Sequence, residues 1–188
     1  MNMERLSYFK KVVKESLIML ILSSLLGLIS GTILSVNETI LYSIPIILLT
    51  LPALNSLIGD ISIVLVSRLS THLYIGTLPP EITTTERLRQ DFIGLFITIF
   101  LSFIALLSIG YTILFFSGKE IVNPLILIGI LFLTVFMLFI SLFIILFMLS
   151  IFLFRKNQDP TNILIPFTTS LIDLLTPLLL ITLITIFL

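Results

Sequence analysis

Residues 121–154 read IVNPLILIGILFLTVFMLFISLFIILFMLSIFLF and contain no charged side chain. As an α-helix, this apolar run would extend about 50 Å, which exceeds the ~30 Å thickness of a bilayer's hydrocarbon core. It lacks the alternation of apolar and polar residues that is typical of a membrane-spanning β-strand. The stretch therefore predicts a transmembrane helix and an all-α integral membrane protein.

The rest of the chain has the same character. It is 58% hydrophobic and 11% charged over 188 residues, whereas ordinary globular chains are about 25% charged. We predict one transmembrane domain over residues 1–188, with a short cytoplasmic or interfacial helix at 1–16 and a multi-pass location in the cell membrane. Five runs are long enough to cross a bilayer: 17–36, 40–66, 92–116, 121–154 and 163–188.

Lysine and arginine residues are distributed unequally around these five predicted spans. Nine of the ten precede the first span or lie between spans two and three or four and five, and only Lys119 lies on the other side. Because positive residues favour the cytoplasmic side, we predict a cytoplasmic N-terminus and a C-terminus outside.

Composition also excludes several functions. The ten basic residues are balanced by ten acidic ones, so net charge gives no indication of a nucleic-acid partner. The chain has no cysteine and a single histidine, His72. Thiolate chemistry and a multi-histidine metal site within one chain are therefore excluded.

Two aspartates, Asp60 and Asp173, lie inside predicted spans. A carboxylate at mid-membrane costs roughly 2.5–3.5 kcal/mol on insertion scales, so such a residue indicates a functional site. Asp173 is about 18 Å from the cytoplasmic start of the last span, near the bilayer centre. Asp60 is about 9 Å from the cytoplasmic end of the second span, where its burial would cost less.

Further oxygen-bearing side chains share a helical face with each aspartate. Because Pro166 and Pro177 lack an N–H, the backbone carbonyls of Asn162 and Asp173 are expected to be free. Carboxylates, hydroxyls, amides and carbonyls suit a hard cation such as Mg²⁺, although the same residues could form a polar helix–helix contact. The predicted metal site comprises Asp173, Asp60, Thr169, Thr176, Asn162 and Ser56.

Two stretches resemble MgtE-type magnesium transporters and their eukaryotic solute-carrier relatives. Pro52-Ala53-Leu54, Gly59-Asp60 and Ser67-Arg68-Leu69-Ser70-Thr71 are similar to the second span of that family, which has Gly-Asn in place of Gly59-Asp60. The stretch from Asp159-Pro160 through Pro166-Phe167-Thr168-Thr169-Ser170 to Asp173 is similar to the family's last span.

The resemblance implies a homodimer with a cation path at the subunit interface and Asp173 in the pore. It implies Mg²⁺ as the transported ion, one that could also bind in the site, and leaves open whether the transporter is a channel or a coupled carrier. Because only about 16 residues precede the first predicted span, the cytosolic magnesium-sensing domains of bacterial members are not expected.

We therefore predict divalent-cation transport, with Mg²⁺ as the preferred ion, across the lipid bilayer through an aspartate-lined pore. A Na⁺- or H⁺-coupled exchanger is the alternative within this class, and a non-transporting membrane scaffold is the alternative outside it. An intramembrane aspartyl protease is disfavoured, because Leu57 stands where the expected Gly-x-Gly-Asp motif has its first glycine. We predict no enzymatic activity.

Overall fold

The computed structural model describes residues 3–118 and 123–188. Within them, the secondary structure is α-helical, as the sequence predicts. The helices are α1 (Met3–Val36), α2 (Glu38–Ser43), α3 (Pro45–Ile75), α4 (Glu86–Phe116), α5 (Pro124–Arg155) and α6 (Pro160–Phe187).

Within the described ranges, four helices are long and apolar enough to cross a membrane: α3, α4, α5 and α6. This finding agrees with the prediction of a membrane protein. In α1, the apolar stretch Leu20–Val36 is shorter. The predicted short helix at 1–16 and the predicted first span form one continuous helix from Met3 onward, while residues 1 and 2 lie outside the described part.

The helix ends follow local chemistry. The side chain of Thr85 accepts a hydrogen bond from Leu88 N at 3.2 Å where α4 begins, and that of Asp159 accepts one from Thr161 N at 2.9 Å where α6 begins. These are typical N-cap contacts. Gly76 ends α3 with φ +79°, a conformation that glycine adopts without strain.

The predicted second span, 40–66, differs from the observed helices at both ends. A break at Ile44 separates α2 from α3 because the following residue, Pro45, disfavours helical geometry at Ile44. At the other end, α3 continues past Val66 to Ile75. No helix-breaking residue occurs between Val66 and Gly76, so the apolar span ends before the helix does.

α3 and α6 lie at the centre of the bundle. α3 packs against α4, α5 and α6, and α6 packs against α1, α3 and α5. Fully buried leucines and isoleucines fill the contacts between these helices, including Ile47, Leu54, Leu131 and Leu146. The two helices that carry the predicted site aspartates are therefore direct neighbours.

A buried ionic contact joins α3 to α4. Asp91 of α4 has a side chain that is 1% exposed, and its Oδ1 accepts from Nη2 of Arg68 at 2.5 Å and from Nε at 2.7 Å. The Nε2 atom of His72 lies 3.3 Å from Oδ2 of the same carboxylate. Arg68 belongs to the Ser-Arg-Leu-Ser-Thr motif, and this contact gives that arginine a structural role.

Candidate cation site between α3 and α6

A cavity of about 390 Å³ lies between α3 and α6. We call it the α3–α6 cavity. Its α3 wall follows the three- and four-residue spacing of one helical face, and α6 contributes the rest. The lining residues are Pro52, Asn55, Ser56, Gly59, Asp60, Ile63, Thr169 and Asp173.

Both predicted site aspartates lie on this one cavity and are exposed in the single chain. The Nδ2 atom of Asn55 lies 3.2 Å from Oδ1 of Asp173 and donates a hydrogen bond to it. The hydroxyl of Ser56 contacts Oδ2 of Asp60 at 3.4 Å. The cavity therefore presents two carboxylates and the hydroxyls of Ser56 and Thr169, which are ligands that suit hard cations, while the amide of Asn55 acts as a donor to Asp173.

Thr169 occupies the α6 wall between Pro166 and Asp173. Its hydroxyl lies 3.0 Å from the carbonyl oxygen of Pro166 and 3.3 Å from that of Ile165. Because the hydroxyl's single proton goes to its own backbone, its oxygen lone pairs remain free to accept hydrogen bonds within the cavity.

The backbone carbonyl of Asp173, which the sequence predicts to be free, has a partner. The hydroxyl of Ser30 in α1 donates to that oxygen at 2.5 Å. Pro177 lacks the N–H that would otherwise bond this carbonyl, and Ser30, which is itself buried, replaces that donor. The expectation of an unpartnered carbonyl beside the carboxylate was wrong, and α1 is thereby joined to the helix that carries the site.

The structure brings together four of the six predicted site residues, namely Asp173, Asp60, Thr169 and Ser56. Asn162 shares the helical face of Asp173 but lies about 16 Å away along the axis, because the two residues are eleven positions apart. Thr176 is fully buried, and among the described residues its hydroxyl has no hydrogen-bond partner. Neither side chain lines the cavity.

Asn55 lines the cavity and contacts Asp173, although it was not among the predicted site residues. A signal existed, because positions 52, 55, 56, 59, 60 and 63 form one helical face that includes the predicted Ser56 and Asp60. Ser30 had no comparable signal, since it lies in α1 among exposed apolar residues such as Leu28 and Ile29.

Within the described part of the chain, the candidate site does not contain a cluster of acidic side chains that could coordinate a metal ion directly. Over residues 3–118 and 123–188, no group of three or more His, Cys, Asp or Glu side chains is close enough to hold a metal ion. The α3–α6 cavity instead combines two carboxylates with neutral oxygen atoms. Such a set can hold the water shell of a hydrated cation through hydrogen bonds from that water.

Comparison with protein families gives one match. A family model described as "MgtE: Divalent cation transporter" matches residues 51–183, which include every residue that lines the α3–α6 cavity. Comparisons with curated proteins and with solved structures gave no match.

Proposed function

The chain belongs to the MgtE family of divalent cation transporters, and we propose that it carries Mg²⁺ across the cell membrane through a passage lined by Asp173 and Asp60. The family is one of transporters rather than enzymes. The observation that carries the proposal is the presence of both carboxylates, exposed, on one cavity between two apolar helices.

The chemistry of the cavity supports Mg²⁺ in its hydrated form. Mg²⁺ gives up its water reluctantly, keeps octahedral geometry and needs only one or two carboxylates. Six waters occupy about 180 Å³ at the volume each has in the liquid. A cavity of about 390 Å³ is large enough for the ion together with this shell.

The exposure of the carboxylates supports a homodimer. If both aspartates faced lipid, Asp173 near the bilayer centre would cost roughly 2.5–3.5 kcal/mol, and Asp60, which lies nearer the cytoplasmic end of its span, would cost less. A second copy of the chain covering the α3–α6 cavity would remove that contact and would line the passage with two aspartates from each subunit. Repulsion among these like charges would favour a divalent cation between them.

The proposed topology uses α1 as a fifth span beside α3, α4, α5 and α6. The apolar stretch Leu20–Val36 and the packing of α1 against α6 support this assignment. The excess of lysine and arginine on one side supports a cytoplasmic N-terminus and a C-terminus outside. Residues 1–188 would then form a single transmembrane domain.

The test is Mg²⁺ uptake into proteoliposomes by Asp173→Asn, which removes the charge but keeps the size of the side chain. We expect uptake to fall to the level of empty liposomes. Thr98→Val is the control, because Thr98 is exposed on α4 and donates only to its own helix at Gly94 O. Normal uptake by Asp173→Asn, with both proteins folded, would contradict the proposal.

Two further measurements separate the alternatives. Uptake measured with and without Na⁺ and pH gradients distinguishes a channel from a coupled exchanger. A membrane scaffold without transport would show no stabilisation by Mg²⁺. A binding site should instead raise the free energy of unfolding by about 2.7 kcal/mol when Mg²⁺ reaches 100 times its dissociation constant.

A further inference from the structure

The contact between Asn55 and Asp173 divides the carboxylate into two unlike oxygen atoms. Oδ1 accepts from the amide of Asn55 at 3.2 Å. Among the residues that the structure describes, no protein donor contacts Oδ2. Asp173 is exposed on the α3–α6 cavity, so one oxygen atom is held by the protein and the other is left for a ligand.

The amide of Asn55 can serve this role in one orientation only. Its Oδ1 is buried and has no hydrogen-bond partner within the described residues. Rotating the amide by half a turn would set this carbonyl oxygen against the carboxylate of Asp173, so that two acceptors faced each other. The observed orientation therefore presents an N–H to the carboxylate.

The same amide lowers the stability of the folded protein. A buried carbonyl without a partner is unfavourable in the folded protein, and a leucine of similar size would fill the position without one. A residue that lowers stability at the wall of a binding cavity is typical of a functional role rather than of packing.

We propose that Asn55 is a positioning residue that makes Asp173 a one-oxygen acceptor and thereby favours Mg²⁺ over Ca²⁺. This inference rests on the proposed function. Ca²⁺ sheds its water readily and can bind both oxygen atoms of one carboxylate. Mg²⁺ keeps most of its water shell and needs only one carboxylate oxygen atom. With Oδ1 held by Asn55, bidentate binding of Ca²⁺ is hindered and a hydrated ion can still be bound through Oδ2.

The experiment compares Asn55→Leu and Asn55→Gln with the unchanged protein in proteoliposomes. We measure the apparent KM for Mg²⁺ and the concentration of Ca²⁺ that halves Mg²⁺ uptake. For Asn55→Leu we expect the KM to rise about tenfold, the loss typical of one hydrogen bond to a charged group, with maximal uptake within about twofold. Ca²⁺ should also become the stronger competitor by about tenfold.

Asn55→Gln retains an amide donor and should recover at least part of both losses. The melting temperature of Asn55→Leu should be equal to or above that of the unchanged protein, because the orphaned carbonyl is gone. A residue needed only for structure would give the opposite pattern, with a lower melting temperature and lower maximal uptake. If Asn55→Leu does not fold, Asn55→Ala gives the same comparison without the added bulk.

Infrared difference spectra supply a readout that is independent of transport. Without any divalent ion, the carboxylate band that disappears in Asp173→Asn should be shifted in Asn55→Leu, because the hydrogen bond exists before the ion binds. An unshifted band together with unchanged KM and Ca²⁺ competition would overturn the inference. If instead Asp173→Asn transports normally, the proposed function itself fails, so the two failures are distinguishable.

Discussion

Replacing Arg68 with leucine is expected to lower the free energy of unfolding by about 3 kcal/mol. The substitution leaves the carboxylate of Asp91, which is 1% exposed, with only His72 Nε2 at 3.3 Å. Breaking a buried ion pair by removing one partner typically costs about 3–5 kcal/mol. We take the lower end of this range because the side chain of Arg68 is 52% exposed.

The reverse substitution should cost much less. Asp91→Leu leaves Arg68 half exposed, so water can solvate its charge and the expected loss is only about 1 kcal/mol. In the double variant Arg68→Leu/Asp91→Leu, the buried carboxylate is absent and the loss should again be about 1 kcal/mol. The coupling energy between the two sites is then about 3 kcal/mol.

The assay is reversible unfolding of the purified protein in detergent micelles, with the four proteins of this double-mutant cycle compared under one condition. The asymmetry between the single variants tests the reasoning. Equal losses for Arg68→Leu and Asp91→Leu, or a double variant whose loss equals the sum of the single losses, would refute the claim that burial of Asp91 sets the magnitude.

Three other substitutions test the assignment of the site. Asp60→Asn should retain uptake with an apparent KM more than tenfold higher. Removing the charge of a carboxylate about 5 Å from a dication removes about 1.7 kcal/mol of attraction at the dielectric constant of water. An unchanged KM in liposomes would show that Asp60 does not line the passage. Ser30→Ala should lower the free energy of unfolding by about 1–3 kcal/mol, because it leaves the backbone carbonyl of Asp173 without its donor. Calorimetry or denaturant titration would measure this change, and an unchanged free energy of unfolding would contradict the role of Ser30. Thr176→Val should leave the stability unchanged or higher and should transport normally, because it removes a buried hydroxyl that has no partner among the described residues. Impaired uptake by a correctly folded variant would indicate that Thr176 belongs to the cation site.

The helices could be predicted because the signals that favour them are local. The composition of residues 121–154 is enough by itself to indicate a helix. The N-cap side chains of Thr85 and Asp159 accept hydrogen bonds from backbone N–H groups no more than three residues further along the chain. The break at Ile44 was missed because apolar composition continues across it and only Pro45 interrupts the backbone geometry.

The site could be predicted in part. The cost of a carboxylate in the membrane identified Asp60 and Asp173, and helical periodicity identified Thr169 and Ser56. The face shared with Asp173 also included Thr176, which other helices bury. Helical periodicity shows which residues share one face of a helix. It does not show which part of that face is covered by a neighbouring helix.

The remaining contacts join residues that are far apart in the sequence. Ser30 and the carbonyl of Asp173 are 143 positions apart, and Asn55 and the carboxylate of Asp173 are 118 apart. Arg68 and Asp91 are closer in the chain, but their pairing depends on how α3 and α4 pack. Such contacts follow from tertiary packing, which no short motif encodes.

The most direct test of the central claim is to locate a bound cation. Mn²⁺ takes the same oxygen ligands as Mg²⁺ and scatters anomalously, so a crystal grown with Mn²⁺ reveals its position. We expect a peak in the α3–α6 cavity about 4–5 Å from Oδ2 of Asp173, the separation for an ion that keeps a water between itself and the carboxylate. Mn²⁺ bound elsewhere, with the space between Asp60 and Asp173 empty at saturating concentration, would contradict the account.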